Sequence, residues 1–179
     1  MSHIQHTSIL TAAQMRTVDS ATICEEPIAS IDLMERAATA CVDWLMTHQP
    51  DNTHYSVWCG LGNNGGDGLA IARLLLERGR QVHAYLVDYG TPMSADAQIN
   101  LQRLQAIAPT QIRALRSMND LPQQLKNSEH TDTPHSHIDA LLGTGTTRAA
   151  DGLLAHVIET LNRTLSSDTV HTVAIDMPS

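Results

Sequence analysis

The chain has no phenylalanine, and aromatic residues make up only 3% of its 179 positions. Leu, Ile, Val, Ala and Met must therefore build the interior, and an apolar fraction of 42% is enough to pack one domain of this length. No run of about 18 apolar residues is present, so we expect no membrane span. The polar segment 1–6 lacks the charged-then-apolar order of a secretory signal.

Cysteine and basic residues are also scarce. Cys24, Cys41 and Cys59 lie far apart without a CxxC spacing, which favours free thiols in a reducing compartment, and we expect a cytoplasmic protein. The chain has 11 Lys and Arg against 19 Asp and Glu, for a formal net charge of -8. Because no basic face could neutralise a nucleic-acid backbone, we expect no such partner. A phosphate-bearing ligand would need backbone N–H groups or a cation.

Apolar residues recur at helical spacing near the start of the chain and predict two helices. The first has Leu10, Met15, Val18 and Ile23 on one face, and the second begins at Ser30, which we expect to cap it. Farther along, short apolar runs predict strands that alternate with helices. We predict strands at 55–59, 82–87, 111–115, 138–142 and 170–175, helices at 69–78, 94–108 and 153–165, and a polar loop at 127–136.

This alternation predicts the α/β class, with a mainly parallel sheet covered by helices on both faces. In such sheets ligands bind beyond the carboxyl ends of the strands, where loops meet the amino ends of helices. The loops that follow the predicted strands are therefore the places to look for functional residues.

A glycine-rich segment, Gly60-Leu-Gly-Asn-Asn-Gly-Gly-Asp-Gly68, follows the first of these strands. Five glycines in nine residues are costly in chain entropy, so the backbone needs either a positive φ or close approach to a neighbour. We interpret the segment as a loop before a helix, where free N–H groups and the helix dipole favour an anion. An ordinary tight turn is the simpler alternative.

The same glycines match the dinucleotide fingerprint of dehydrogenases through Gly60, Gly62 and Gly65, and Asp88 lies near the distance expected for a ribose-binding acid. We rank this alternative second. Asp67 would lie close to the pyrophosphate and repel it, and a dehydrogenase turn does not need the amides that the Asn63-Asn64 pair offers.

Two further predicted strands end in similar segments. One carries Asp139 and runs into Gly143-Thr-Gly-Thr-Thr-Arg148, whose glycines, hydroxyls and Arg suit a phosphate or a sugar. Asp176 follows the last strand, and a capped turn is the plain alternative for both segments. Because parallel strands share one carboxyl edge, we expect Asp67, Asp139 and Asp176 to lie together.

Clustered acids beside a phosphate need a cation or a hydrogen-bond network to compensate their charge. Asn64, Asp139 and Ser179 carry oxygen atoms suited to a hard cation.

The histidines suggest no transition-metal site. His130, His135 and His137 lie close together in the predicted polar loop, but no Cys or second ligand pair accompanies them, which disfavours zinc. His83 and His171 lie on predicted strands, where we interpret them as structural.

Taken together, the motifs described above resemble those of the YjeF amino-terminal domain family, the NAD(P)H-hydrate epimerases. Leu10–Met15 and Asp32–Ala37 resemble the entry helices of the family, and Gly62–Gly68 is the strongest of the motifs. Asp139–Gly145 and Ala174–Ser179 are the other two signatures, so the resemblance covers nearly the whole chain.

The resemblance implies a three-layer αβα Rossmann-like sandwich, often a homodimer. It implies an isomerase of nicotinamide nucleotide repair, which interconverts the R and S epimers of NADH or NADPH hydrated at ring carbon 6 (NADHX and NADPHX). In many bacteria the domain is fused to an ADP- or ATP-dependent dehydratase that repairs the S epimer. A non-catalytic interaction module of the same fold is a further alternative.

The resemblance also assigns the site. It implies that Asp176 is the catalytic residue, and that one potassium ion per subunit is bound by Asn64, Asp139 and Ser179. The residues that it assigns to the hydrated dinucleotide are Asn63, Asn64, Gly65, Gly66, Asp67, Gly143, Thr144, Gly145, Thr146, Thr147, Arg148, Ala149 and Asp176.

The chain departs from the family pattern in two places. The last motif of the family continues into Gly-Leu and further strands, so we expect residues 1–179 to be a carboxyl-terminally truncated form of the domain. The second departure is the Thr147-Arg148 pair, at positions where family members vary.

Overall fold

The computed structural model describes residues 10–122, 134–146, 149–164 and 170–179. The strands in these residues are β1 (His54–Cys59), β2 (Gln81–Val87), β3 (Ile112–Leu115), β4 (His135–Ala140) and β5 (Val170–Ala174). The α-helices are α1 (Ala12–Glu25), α2 (Ser30–His48), α3 (Asn63–Glu77), α4 (Ala95–Ile107) and α5 (Gly152–Thr164). Short 3₁₀ turns lie at Pro109–Gln111 and Met118–Asp120.

The five strands form one parallel sheet in the order β3-β2-β1-β4-β5. One buried apolar cluster lies between the sheet and α2, α3 and α4, and a second lies between the sheet and α5. The predicted α/β class and its three layers are therefore confirmed. From β1 the chain continues to β2 and β3 on one side of the sheet, and it then returns to form β4 on the other side of β1. This reversal of strand order leaves a crevice at the carboxyl ends of β1 and β4.

Strand β1 is central because both of its faces are apolar. Tyr55, Val57 and Cys59 pack into the cluster beneath α3, while Trp58 packs into the cluster beneath α5, and all four are at most 1% exposed. Burial on both faces is typical of a strand inside a parallel sheet, although this strand is not wholly apolar, because Ser56 is buried in it as well.

Helix α3 begins at Asn63 rather than at 69, so only residues 60–62 of the glycine-rich segment form the predicted loop before a helix. None of the glycines between Gly60 and Gly68 has a positive φ, and close packing explains all of them except Gly62, where a Cβ would meet nothing within 4 Å. A Cβ on Gly65 would overlap the carbonyl oxygen of Gly60, and one on Gly68 would lie 2.7 Å from the Cβ of Ala140. The first turns of α3 are thus pressed against the ends of β1 and β4.

Two other boundaries differ from prediction. Strand β4 begins at His135, so the predicted loop over 127–136 ends too late and the predicted strand at 138–142 starts too late. The first half of β4 consists of the polar residues His135, Ser136 and His137, so the sequence does not show that the strand begins there. Ser30 is the first residue of α2 rather than its cap, and its hydroxyl donates to Asp96 instead.

Helix α1 lies at the edge of the molecule. The predicted apolar residues Leu10, Met15, Val18 and Ile23 fall on or next to it, and each is at least 36% exposed. Among the helices described, none combines the length and apolar character needed to cross a membrane.

Candidate functional site

A cleft of about 600 Å³ opens at the carboxyl edge of the sheet. Its walls come from α1, α2, the start of α3 and the segments that follow β2, β4 and β5. The segments that carry Asp67, Gly143 and Asp176 meet at this cleft, as expected. Asp139, the third acid expected beside Asp67 and Asp176, does not line the cleft but a separate small cavity.

The amino end of α3 forms the floor of the cleft. Gly62 precedes the helix in an extended conformation, and no side chain caps the first-turn N–H groups. Gly62 and Asn63 both line the cleft, so these N–H groups and the helix dipole lie near any ligand that enters. An anionic group can be bound here without a Lys or Arg.

Asn64 connects the floor to the segment that follows β4. Its side chain is only 7% exposed, and its Nδ2 donates to the carbonyl oxygen of Leu142 at 2.6 Å. Its buried Oδ1 has no hydrogen-bond partner among the described residues. An orphaned buried oxygen is costly, so this atom has the free coordination expected of a cation ligand.

Asp139 and Ser179 lie beside this point. The Asp139 carboxylate accepts from the backbone N–H groups of Ser179 at 2.8 Å and of Leu141 at 3.2 Å. The Leu142 N–H donates to Ser179 Oγ at 3.0 Å. Asp139 and Ser179 line a small cavity of about 20 Å³, room for one water-sized occupant. Leu142 therefore links Asn64 to Ser179, which in turn donates to Asp139, although Asn64 faces the large cleft.

Asp176 is held against the segment that follows β4. The Thr144 N–H donates to Asp176 Oδ2 at 2.7 Å. Asp176 has a φ of 67°, a left-handed conformation that is uncommon outside glycine and is often found at functional sites. A Cβ on Gly143 would lie 2.8 Å from Asp176 Oδ2 and 3.0 Å from the Asn64 Cβ, so Gly143 must be small for the two walls to meet.

Asp67 points into the same cleft from α3 and is half-buried. Its pKa is raised to about 7, mainly by burial and then by the nearby carboxylates of Asp176, Asp19 and Asp96 in that order. A carboxyl group with this pKa exists in both protonation states near neutral pH, as an acid–base catalyst requires.

The other predicted site residues divide into three groups. Thr144, Gly145 and Thr146 line the cleft with Asn63. Gly65, Gly66 and Ala149 do not line it: the two glycines pack beneath it, and Ala149 is exposed outside it. Thr147 and Arg148 lie outside the described residues.

Several residues that line the cleft were not predicted from the sequence. Tyr89 is the only aromatic residue that lines it within the described ranges, and the Leu61 N–H donates to its hydroxyl at 3.4 Å. Met15 and Asp19 approach from α1, and Cys41 from α2. An aromatic residue two positions beyond β2 was the one available clue to Tyr89.

Asp88, the ribose-binding residue of the dehydrogenase alternative, does not line the cleft. Its carboxylate accepts from Arg116 Nε at 3.2 Å and from the Gly90 N–H at 3.2 Å. This local pairing accounts for Asp88 without a ribose.

The histidines expected in a loop lie on β4 instead. His135 and His137 belong to that strand, His130 lies outside the described residues, and within the described part of the chain no group of His, Cys, Asp and Glu is arranged to hold a metal ion. His83 and His171 lie on β2 and β5, as predicted, with exposed side chains.

Comparison with known proteins adds independent findings. The family model of the YjeF-related protein N-terminus matches residues 30–179. A NAD(P)H-hydrate epimerase of Anaerococcus prevotii is 34% identical over 171 residues, covering 96% of this chain and 74% of that protein. One of Limosilactobacillus fermentum is 37% identical over 170 residues, with 95% and 74% covered.

Two further matches extend this result. The bifunctional NAD(P)H-hydrate repair enzyme Nnr of Moorella thermoacetica is 36% identical over 174 residues, which cover 96% of this chain but 31% of that protein. The crystal structure of the yeast protein ynu0 matches with a TM-score of 0.73, covering 97% of this chain and 71% of that one. At 18% identity, this last match concerns the fold alone.

Proposed function

The chain belongs to the family of the YjeF-related protein N-terminus, and on this premise we propose that it is an NAD(P)H-hydrate epimerase. Its substrates are NADHX and NADPHX, the forms of the reduced cofactors hydrated at ring carbon 6. The activity belongs to nicotinamide nucleotide repair, and relatives named as bifunctional repair enzymes fit this role.

The observation that carries the proposal is a carboxylate-lined cleft next to an uncapped helix terminus. The amino end of α3 and the backbone N–H groups near Gly143 suit the phosphates of a dinucleotide. Asp67 and Asp176 then suit the positively charged ring that forms during the reaction. One cleft thus offers opposite polarity to the two ends of the substrate.

The chemistry that we propose is inversion through an iminium ion. The hydroxyl group at carbon 6 leaves as water while the lone pair of the ring nitrogen forms the C=N bond. Asp176 acts as a general acid–base group on the oxygen at carbon 6, and its negative charge stabilises the cationic ring. No electrons pass to an acceptor, so the reaction is an isomerisation.

We also propose that one potassium ion per subunit binds at Asn64, Asp139 and Ser179. The orphaned Oδ1 of Asn64 supports this, as do the all-oxygen ligands and the 20 Å³ cavity beside Asp139 and Ser179. When bound, the ion would supply positive charge that compensates the acidic edge. The Leu142 hydrogen bonds to Asn64 and Ser179 would transmit the geometry of the ion site to the cleft.

The wider setting follows the family pattern. We propose that the protein works in the cytoplasm as a homodimer, and that a dehydratase, fused or separate, consumes the S epimer. Sedimentation of the purified protein tests the dimer, since a monomer at micromolar concentration would contradict it.

The decisive assay is chromatographic separation of the epimers. Purified R-NADPHX is incubated with the protein, with and without potassium, and appearance of the S epimer above the uncatalysed rate supports the proposal. Absence of conversion contradicts it. A nicotinamide absorbance change with an alcohol or acid substrate would instead support the dehydrogenase alternative.

A further inference from the structure

Inversion of a ring carbon requires water to leave from one face and return to the other. Building on the proposed function, we propose that Asp67 is a second catalytic acid–base residue that serves the ring face opposite to Asp176. The site would then use two carboxyl groups for one carbon atom.

The two carboxyl groups reach the cleft from separate elements. Asp67 lies in the first turns of α3, and Asp176 lies in the segment after β5. Both line the cleft, and Asp176 is close enough to raise the pKa of Asp67. A flat ring held between α3 and the segment after β5 would present one face to each carboxyl group.

The hydrogen bonding of the two groups differs. Asp176 accepts a hydrogen bond from the Thr144 N–H. Asp67 has no hydrogen-bond donor among the described residues, so no contact with the protein holds its carboxyl group ionised. Asp67 is therefore suited to donate a proton to the leaving oxygen.

The charges around Asp67 act in the same direction. Asp176, Asp19 on α1 and Asp96 on α4 face it, and together with burial they bring its pKa to about 7. Cys41 on α2 also faces it, and burial together with the Asp67 charge raises the pKa of this thiol. No basic group is among these neighbours, so Asp67 is partly protonated near neutral pH.

The proposed step balances without a further reactant. The C6–O bond breaks, its electron pair leaves with the oxygen, and the Asp67 proton converts that oxygen to water, while the ring nitrogen lone pair forms the C=N bond. A second water then adds from the other face, its proton passes to Asp176, and the C=N pair returns to nitrogen. Solvent in the open cleft returns the proton from Asp176 to Asp67. The reverse reaction exchanges the two roles.

A one-carboxyl mechanism makes different predictions. If the ring turned over within the cleft, Asp176 could serve both faces and Asp67 would only bind the substrate. Exchange of the C6 hydroxyl oxygen with ¹⁸O-labelled water distinguishes the two mechanisms. In the two-carboxyl mechanism, exchange with retained configuration needs only the carboxyl group on the face that carries the hydroxyl, whereas inversion needs both carboxyl groups. Each epimer is therefore incubated in labelled water, and label and configuration are measured by mass spectrometry and chromatography.

For Asp67→Asn we expect loss of interconversion by about 10²-fold or more. We further expect that one epimer still exchanges its oxygen with retained configuration and that the other does not. Asp176→Asn should give the mirror result, with exchange retained in the opposite epimer. A variant of Asp67 that interconverts the epimers at the wild-type rate, or that exchanges both epimers equally, would overturn the proposal.

Three controls make the result interpretable. Asp96→Asn removes a charge near Asp67 but lies outside the cleft, so interconversion should persist with an altered pH profile. Asp67→Glu should keep part of the activity that Asp67→Asn loses, because it retains a carboxyl group. A purely structural role for Asp67 would not require a carboxyl group. If wild-type protein converts neither epimer, the proposed function itself fails, and this failure is distinct from unequal exchange in an active enzyme.

Discussion

Burial affects two polar clusters of the same sheet in opposite ways. At the carboxyl edge, burial and then the nearby carboxylates raise the pKa of Asp67 to about 7. On the face of the sheet that packs against α5, burial and then the neighbouring His135 lower the pKa of His137 to about 3. Burial, followed by His54 and His83, lowers the pKa of His135 to about 4.

The difference lies in what each cluster contacts. Trp58 Nε1 donates to His137 Nδ1 at 3.1 Å, and Ser56 Oγ lies 2.9 Å from His135 Nε2, so the histidines find partners inside the protein. They stay neutral near pH 7 and fill space in the sheet. The carboxyl groups instead line a cleft that is open to a ligand. A perturbed pKa therefore indicates a reactive group only where the group also faces accessible space.

The largest expected effect concerns Asp176. Asp176→Asn should lower the rate of epimer interconversion by about 10²- to 10⁴-fold, because the amide cannot exchange the proton. Dinucleotide affinity, measured by calorimetry, should change little. Asp88→Asn is the control, since Asp88 pairs with Arg116 outside the cleft and its loss should leave turnover unchanged. Normal turnover in the Asp176 variant would contradict its assignment.

The next effect tests the packing that places Asp67. Gly→Ala substitution within a helix usually stabilises it by about 1 kcal/mol. Gly65→Ala should do the opposite and lower the free energy of unfolding by about 1 to 3 kcal/mol, because its Cβ meets the Gly60 carbonyl oxygen.

Gly62→Ala is the matched comparison for that change. Gly62 has extended backbone, and a Cβ there would meet nothing within 4 Å. Urea unfolding of both variants measures the difference. Equal stability of the Gly62 and Gly65 variants would show that the close approach of Gly65 to the Gly60 carbonyl oxygen does not require a glycine.

A smaller effect concerns the histidine cluster. Since the folded-state pKa of His137 lies below its unfolded value of about 6.5, its neutral form stabilises the fold above that pH. This stability is lost as pH falls from about 6.5 toward about 3. His137→Leu should flatten the dependence of the free energy of unfolding on pH in this interval. It should also cost about 1 to 3 kcal/mol at neutral pH, because the Trp58 N–H loses its acceptor.

Urea unfolding at several pH values measures both effects. Trp58→Phe in the His137→Leu background should cost less than Trp58→Phe alone, because the N–H is then already unpaired. An unchanged pH slope in His137→Leu would show that this histidine is not the group that titrates.

The smallest effect concerns the proposed ion. Asn64→Ala should raise the potassium concentration needed for half-maximal activity by about tenfold, since the buried Oδ1 is removed. Activity is measured over a series of potassium concentrations, and choline replaces the missing potassium so that the ionic strength stays constant. If the variant and wild type respond alike to potassium, Asn64 is not a ligand.

Apolar periodicity was enough to predict the α/β class and the order of the strands along the chain. The rule that parallel strands share a carboxyl edge was enough to bring Asp67 and Asp176 to one cleft, but it did not predict that Asp139 lines a separate cavity. Both inferences depend on patterns that repeat along the backbone.

The remaining features depend on contacts between distant residues, which no local pattern encodes. Gly65 reads as a loop residue until the Gly60 carbonyl oxygen is placed against it. His135 and His137 read as a polar loop until Ser56 and Trp58 provide partners. Tyr89 reaches the cleft only because β2 ends beside β1.

The central claim is that one cleft holds the hydrated ring between two carboxyl groups. A crystal structure with a bound nicotinamide dinucleotide tests it most directly. We predict the pyrophosphate against the amino end of α3 or the segment from Gly143 to Thr146, and ring carbon 6 between Asp67 and Asp176. A dinucleotide bound at the amino ends of the strands, or with its ring away from both carboxyl groups, would contradict the account.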